Sequence, residues 1–353
     1  MHVGVGFVFQ NSDRSRTDYQ VWKDEIHLAD LVEPLGYDSV WATEHHFTDY
    51  NLSPDVLQFL TYMAGRTRRI QLGSMVVVLP WHDPLRVAEQ VSVLDHLSDG
   101  RLILGLGRGS GRVEFDAFKL DMADSREIFQ EGATMLLEGL ETGWCEADGR
   151  HVKQPRAAVR PFPFKTFRGR TYVGALSPDT MPIIAKLGAG LFVNPQKPWE
   201  RIHDDMGAYR EAFREHHGTE APAPIFACWT FVDEDEGRAR ELAYEHIGAY
   251  WNSTLEHYAF HTGHMQGQKG YEYYGKFAET MERAGPEKML EHFVNLQVWG
   301  TPDQCVEKLR WIGAQLRSDM FSGVFSYGGM SREESERNLR LFAAKVLPRL
   351  KGE

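Results

Sequence analysis

The sequence predicts a (β/α)8 barrel, the TIM-barrel fold, as a single domain over residues 1–353 with insertions before its fifth and eighth strands. Two observations carry this. Short β-branched or apolar runs alternate with longer amphipathic stretches, the rhythm of a parallel sheet covered by crossover helices. A length of 353 residues suits one large barrel, because α/β barrels commonly exceed the usual domain size. A doubly wound open sheet shares the alternation and is the competing architecture.

Taken in order, strand patterns fall at 3–9, 38–43, 70–78, 102–106, 171–174, 191–193, 224–232 and 323–326. Helical patterns fall at about 18–35, 54–67, 84–97, 124–141, 178–188, 198–217, 234–251 and 331–350. Ser53-Pro54, Asp83-Pro84 and Ser177-Pro178 each set a capping side chain before a first-turn proline. Gly36, Asp99-Gly100 and Gly188 sit where a left-handed residue ends a helix at little cost. Residues 144–170, broken by Pro155, Pro161 and Pro163, read as an excursion with extended pieces. Residues 250–300 carry Trp251, Tyr258, Phe260, His261, His264, Tyr271, Tyr273, Tyr274 and Phe277. They are expected to form a lid or pocket wall, the alternative being packing on the outside of the barrel or at a subunit contact.

With 42% hydrophobic and 25% charged residues, the chain has ample core for a globular enzyme. A formal charge of −11 argues against broad contact with nucleic acid or an anionic membrane. No run approaches the roughly 18 apolar residues of a membrane span, and residues 2–9 read as a strand rather than a signal peptide, so a cytoplasmic location is expected. Cys145, Cys228 and Cys305 are odd in number and far apart, which fits buried structural cysteines better than disulfides, a thiolate metal site or a nucleophile.

In a barrel, chemistry gathers where strands end at their carboxyl side. The second strand runs into Glu44, His45 and His46, ionisable groups that are costly there unless hydrogen-bonded or functional. Extended chain alternates its side chains, so at most one of the two histidines faces a common ligand. The stretch after the third strand, Val76 to His82, is largely apolar. The fourth strand leads into Gly105-Leu106-Gly107-Arg108-Gly109-Ser110-Gly111-Arg112, which combines backbone access with guanidinium charge, as anion binding requires. It is neither a Walker motif nor a dinucleotide fingerprint, and glycines bending a barrel rim remain the other reading.

Ser125-Arg126 and the run Leu176-Ser177-Pro178-Asp179-Thr180 add helix starts with hydroxyls, a second anion-type feature that the Asp179 charge weakens. Ser177 is alternatively an N-cap. No metal site is expected, since adjacent His45 and His46 cannot share an ion from extended chain and the other histidines are scattered. His2, His96, His151 and His203 read as structural or surface residues.

In order and spacing, segments 41–47, 73–80, 94–101, 105–109, 121–126 and 175–180 resemble the bacterial luciferase-like flavin-dependent monooxygenases, as do 270–277, 298–308 and 342–351. The resemblance implies a barrel that binds reduced FMN at its carboxyl end. With O2 it would form a C4a-(hydro)peroxyflavin that oxidises a small apolar organic substrate. Position by position, it assigns Arg108, Arg126, Ser177 and Thr180 to the flavin phosphate, and His45 to the catalytic imidazole with Glu44 as its acidic neighbour. Met75-Val76 takes the place of a non-proline cis peptide against the flavin ring. Gly107 stands where luciferase proper has a cysteine, so light emission is not implied.

Phe7, Met75, Val76 and the aromatic insertion are expected to wall the pocket and keep water from the reactive flavin. A separate flavin reductase and a homodimer are further implications of the resemblance. A deazaflavin (F420)-dependent hydride-transfer enzyme and a non-catalytic flavin-binding protein are the competing functions.

Overall fold

The computed structural model describes residues 1–174, 177–260, 265 and 267–352, without the side chains of Phe277 and Glu282. His261, His264 and the Phe277 ring of the aromatic insertion, and Leu176 of the anion-type run, therefore lie outside the described residues. The barrel strands are β1 (His2–Phe7), β2 (Ser39–Ala42), β3 (Gln71–Ser74), β4 (Leu102–Gly107), β5 (Thr171–Gly174), β6 (Gly190–Val193), β7 (Ile225–Val232) and β8 (Met320–Val324). Each pairs in parallel with the next, and β8 returns to β1 with Met320 opposite His2. Closure leaves no open edge in the ring, which decides against the doubly wound sheet.

Two cores follow from the alternation of side chains along the strands. Outward residues such as Val3, Val5, Val40, Leu72 and Leu104 pack under the helices. Inward residues Trp41, Ile103, Tyr172, Phe192, Ile225 and Val324 fill the barrel. Trp41 lies across the bottom of the ring, its Nε1 donating to Ser39 Oγ at 2.7 Å. Gly73 has to be glycine beside it, since a Cβ there would come within 2.1 Å of the indole.

Several bounds differ from the sequence expectation. The strand expected at 70–78 stops at Ser74, the Met75–Val76 peptide is cis as the resemblance implied, and Val77–Val78 resumes pairing beside β4. At the break the Ser74 hydroxyl replaces ladder bonds, donating to Gly105 O at 2.9 Å and accepting from Gly105 N at 2.8 Å. β8 begins at Met320 rather than at 323 and ends at Val324, because pairing with β1 and β7 sets its limits and hydropathy does not. The helix after β2 is capped by Asp55, whose side chain accepts from Gln58 N, and not by Ser53.

The helix expected at 234–251 is Glu236–His257, so the second insertion starts inside it. The remainder holds helices Glu272–Ala284 and Pro286–Leu296 and a short strand, Val298–Gly300, paired with β7. Two helices had gone unread, Arg112–Phe118 and Pro302–Leu316. The second announces itself by a capping box between Thr301 and Gln304 ahead of Pro302. The first insertion contains the extended pieces expected of it, an antiparallel ribbon of Trp144–Asp148 and Lys153–Ala158.

All three cysteines are buried and unpaired. Burial pushes the thiol of Cys145 up to about 11 and that of Cys305 up to about 12, so neither is a thiolate at neutral pH. Among the described residues, no helix is long and apolar enough to cross a membrane.

One buried acid makes stability depend on pH. Glu25, on the helix Asp18–Val32, accepts from Ser326 Oγ at 2.6 Å, while its Oε2 has no hydrogen-bond partner among the described residues. Burial outweighs that bond and pushes its carboxyl up to about 7. The unfolded chain releases this proton from about pH 4.5, whereas the native state holds it to about 7, so stability is lost across that interval as pH rises. Glu25→Gln keeps the acceptor and cannot ionise. Between pH 5 and pH 8, its unfolding free energy should gain about 1–3 kcal/mol relative to the parent. Urea unfolding of both proteins checks this, and an unchanged difference would count against a proton on Glu25.

Candidate active site

At the carboxyl end of the strands lies a cavity of about 200 Å³, far above the ~10–15 Å³ that one water needs and of a size for an organic ligand. Glu44, His45, Met75, Val76, Gly107, Arg108, Ser177 and Thr180 all line it. Residues that were far apart in sequence thus meet at one opening, as strand ends of a barrel must.

His45 is held by the loop that follows β2. Its amide donates to Ser53 O at 3.3 Å, and Asn51 ties the same loop through Thr43 Oγ1 at 2.6 Å. Its ring meets the edges or faces of Tyr50, His257 and Tyr258 at centroid distances of 4.9, 4.8 and 5.9 Å. His45 Nδ1 lies 3.0 Å from Glu114 Oε1, and Tyr258 Oη lies 3.4 Å from His45 Nε2.

His46 turns away, as expected, to pack on Trp81 and Phe118. Alternation does not govern the whole junction, however, because β2 ends at Ala42 and both Glu44 and His45 reach the cavity wall. Glu44 is buried, and His82 Nε2 and His46 Nε2 lie 2.7 and 3.2 Å from its Oε1. Val78 N donates to its Oε2 at 3.1 Å. Burial alone would raise this carboxyl, but the two histidines and the amide outweigh it and hold it below its usual range. Burial likewise opposes the charge on His82, and the Glu44 contact overcomes it and raises that imidazole.

The anion-type residues form one cluster. Arg108 Nη1 donates to Gly270 O at 2.8 Å and its guanidinium lies 4.1 Å from the Tyr271 ring centroid. Arg126 is not among the residues that line the cavity; it donates from Nη2 to the same carbonyl at 3.3 Å, and its buried Nε has no hydrogen-bond partner among the described residues. Asp179, whose charge seemed to oppose an anion, reaches Arg126 only at 3.9 Å and is mostly exposed. Ser177 precedes a single 3-10 turn and makes no capping bond, so its buried hydroxyl is not spent as an N-cap.

These groups fit a flavin phosphate: two guanidinium groups that meet at Gly270 O, and two buried hydroxyls lining the same cavity as Arg108. Met75, Val76 and Gly107 offer the apolar face that a ring system needs. A side chain at 107 has no room, since its Cβ would lie 2.3 Å from Val76 Cγ2. The opposite wall is aromatic, with Tyr50, Trp81, Trp229, Tyr250, Trp251, Tyr258, Phe260, Tyr274 and Phe293. The second insertion is thus a pocket wall rather than external packing. Phe7 does not belong to it, because it points outward into the helix-covered core against Phe9 and Phe59, and Val8 takes the cavity position.

Sequence reasoning missed Glu114 and His257. With His45 they bring ligand-type atoms within 4.8 Å of one another. Glu114 Oε1 already accepts from His45 and from the His46 amide at 2.9 Å, while His257 Nε2 stays 3.6 Å from it. Glu114 sits in the first turn of the unread helix Arg112–Phe118, and His257 is the last residue of a helix longer than expected. An acid two residues past the Gly-rich run was the only sequence signal for the first.

The family described as luciferase-like monooxygenase matches residues 1–316. An alkanal monooxygenase alpha chain from Photorhabdus luminescens is 26% identical over 337 residues, covering 94% of this chain and 93% of its own length. The monooxygenase RslO1 of Streptomyces bottropensis superposes with a TM-score of 0.83 at 25% identity, over 99% of both chains. The oxygenating constituent of 3,6-diketocamphane monooxygenase from a Pseudomonas putida plasmid, solved in complex with FMN, gives 0.76 at 18%, covering 99% of this chain and 98% of its own. A coenzyme F420-dependent tetrahydromethanopterin reductase from Methanopyrus kandleri gives 0.69 at 21%, over 99% of both. With a family match over most of its length and an arginine, hydroxyl and imidazole set gathered at the carboxyl mouth of the barrel, this chain belongs to the luciferase-like monooxygenases, flavin oxidoreductases that incorporate oxygen.

Proposed function

We propose that the cavity binds reduced FMN and that the protein uses it with O2 to oxidise a small apolar organic substrate. The Arg108–Arg126 pair carries this reading, because both guanidinium groups converge on Gly270 O, the buried Arg126 Nε has no hydrogen-bond partner among the described residues, and Arg108 shares the cavity lining with the Ser177 and Thr180 hydroxyls, a set that suits an acceptor with several oxygens. The FMN-bound relative of the same fold supports FMN as that ligand. Reduced FMN, when bound, supplies the electrons that activate O2.

The rest is the work of this chain. Arg108, Arg126, Ser177 and Thr180 hold the phosphate, and Met75, Val76 and Gly107 support the ring. The aromatic wall excludes water and holds an apolar substrate. His45 exchanges a proton with a group in the cavity through Nε2. Glu44, its oxygens taken up by His46, His82 and Val78 N, anchors the strand-end loop from which His45 projects. Reduced FMN arrives from a separate reductase, and the barrels pair as a homodimer.

Hydride transfer with F420 is the second reading, favoured by the F420-dependent reductase of like fold. Titrating the protein with FMN, reduced FMN and F420 under absorbance, followed by oxygen-electrode measurements, separates the two. Tight binding of reduced FMN with oxygen consumption is expected. Binding of F420 alone without oxygen uptake would replace the first reading with the second, and binding of none would remove both.

A further inference from the structure

We propose that Glu114 fixes the tautomer of His45 and that Tyr258 caps the nitrogen this leaves free. Glu114 acts as a positioning residue that keeps a proton on Nδ1, and the Tyr258 hydroxyl closes Nε2, the ring nitrogen on the cavity side. The inference rests on the reading of His45 as the acid–base group and supplies the state in which it works.

The two ends of the His45 ring meet chemically opposite partners. At Nδ1 stands Glu114 Oε1, 3.0 Å away, which also accepts the His46 amide at 2.9 Å. Burial alone would raise this carboxyl, but the charge of His45 and contacts from His257 and His45 outweigh it and hold it down at about 2. An ionised carboxylate only accepts. At Nε2 stands Tyr258 Oη, 3.4 Å away and on the cavity wall. Burial, reinforced by neighbouring Tyr50 and Glu114, pushes this phenol well above its usual range, so it keeps its proton and can donate to an unprotonated Nε2. A neutral imidazole between an obligatory acceptor and a donor satisfies both in one tautomer, with N–H at Nδ1 and the lone pair at Nε2.

The groups facing His45 from every side are Glu114, His257, Tyr50 and Tyr258. His257 stacks on Tyr50 at 4.4 Å, its Nδ1 lies 3.0 Å from Thr48 Oγ1, and its Nε2 reaches Glu114 Oε1 only at 3.6 Å. Burial pushes its ring below the usual range, so it stays neutral and does not compete for the counter-charge. Burial also raises the Tyr50 phenol. Glu114 is therefore the carboxylate that meets the His45 ring directly, since the oxygens of adjacent Glu44 are taken by His46, His82 and Val78 N.

In the proton step, Nε2 takes a proton from a group in the cavity and the Tyr258 hydroxyl turns away from it. The imidazolium keeps its Nδ1–H on Glu114, which balances the charge without taking the proton. Release of the same proton restores the starting state, with no heavy-atom bond changed and no electron moved.

Histidine-labelled protein without flavin, studied by 15N NMR at pH 8, tests this directly. His45 is expected as the Nδ1–H tautomer. Glu114→Gln, whose amide can donate as well as accept, should mix the tautomers and lower turnover of the flavin-loaded enzyme at least about tenfold. Its FMN affinity should stay within about twofold, and Glu114→Asp should recover part of the turnover. Tyr258→Phe keeps the ring and should lower turnover with the Nδ1–H form retained, which covers the case in which Glu114→Gln does not fold. An Nε2–H tautomer in the parent, or a Glu114→Gln protein with tautomer and turnover unchanged, would overturn the proposal. Because the NMR measurement needs no flavin, failure of this arrangement is distinguishable from failure of FMN to bind.

Discussion

Replacing His45 with alanine is expected to lower turnover by about 10²–10⁴-fold, the usual scale of a positioned proton-transfer group, while FMN affinity stays within about twofold. The split follows from position. His45 stands at the end of β2 among Tyr50, His257 and Tyr258, whereas the anion cluster is built from Arg108, Arg126, Ser177 and Thr180 on other elements. Removal of the imidazole also takes the Nδ1 hydrogen bond from buried Glu114, and His257, 3.6 Å away, does not replace it. Some loss of stability should accompany the loss of activity. Steady-state kinetics with reduced FMN, beside flavin titration and urea unfolding of the same variant, separates the effects. Unchanged turnover would take His45 out of the chemistry.

Replacing Arg126 with alanine is expected to weaken FMN binding by about 10–150-fold, the equivalent of one charge-assisted hydrogen bond of about 1.5–3 kcal/mol. Riboflavin, which lacks the phosphate, should bind parent and variant alike. The contrast between the two ligands makes the test specific, because a general collapse of the cavity would weaken both. Arg126 suits it better than Arg108, which also stacks on Tyr271 and would lose packing as well as charge. Equal weakening of FMN and riboflavin would remove Arg126 from the phosphate site.

Much of the fold was legible in the sequence because strand and helix periodicities are local properties. The strand at Thr171–Gly174 and the caps at Asp83 and Gly188 are set by residues within a few positions of themselves. Misreadings fell where pairing or packing at long range sets the limit. The strand read at 70–78 is interrupted at the cis Met75–Val76 bond, and Ser74 repairs the ladder only through Gly105, thirty-one positions on. β8 took its start from its neighbours β1 and β7. The helix Pro302–Leu316 is a different case, since its capping box was present and simply went unread.

Candidate site residues were legible wherever a residue type alone implied chemistry. An imidazole past a buried strand, arginines in and after a Gly-rich turn, and hydroxyls before a short helix each point to a function by what they are. The sequence by itself determined the alternation that makes a barrel and the placing of His45 and the arginines near strand ends. Tertiary structure alone decided which of these groups meet and in what state. Glu114, Tyr258 and His257 lie 69, 213 and 212 positions from His45 along the chain, and barrel closure brings all three to its ring. Whether a carboxylate there is ionised, or a phenol keeps its proton, depends on how much water burial removes and which charges remain nearby, and those quantities exist only in the folded chain.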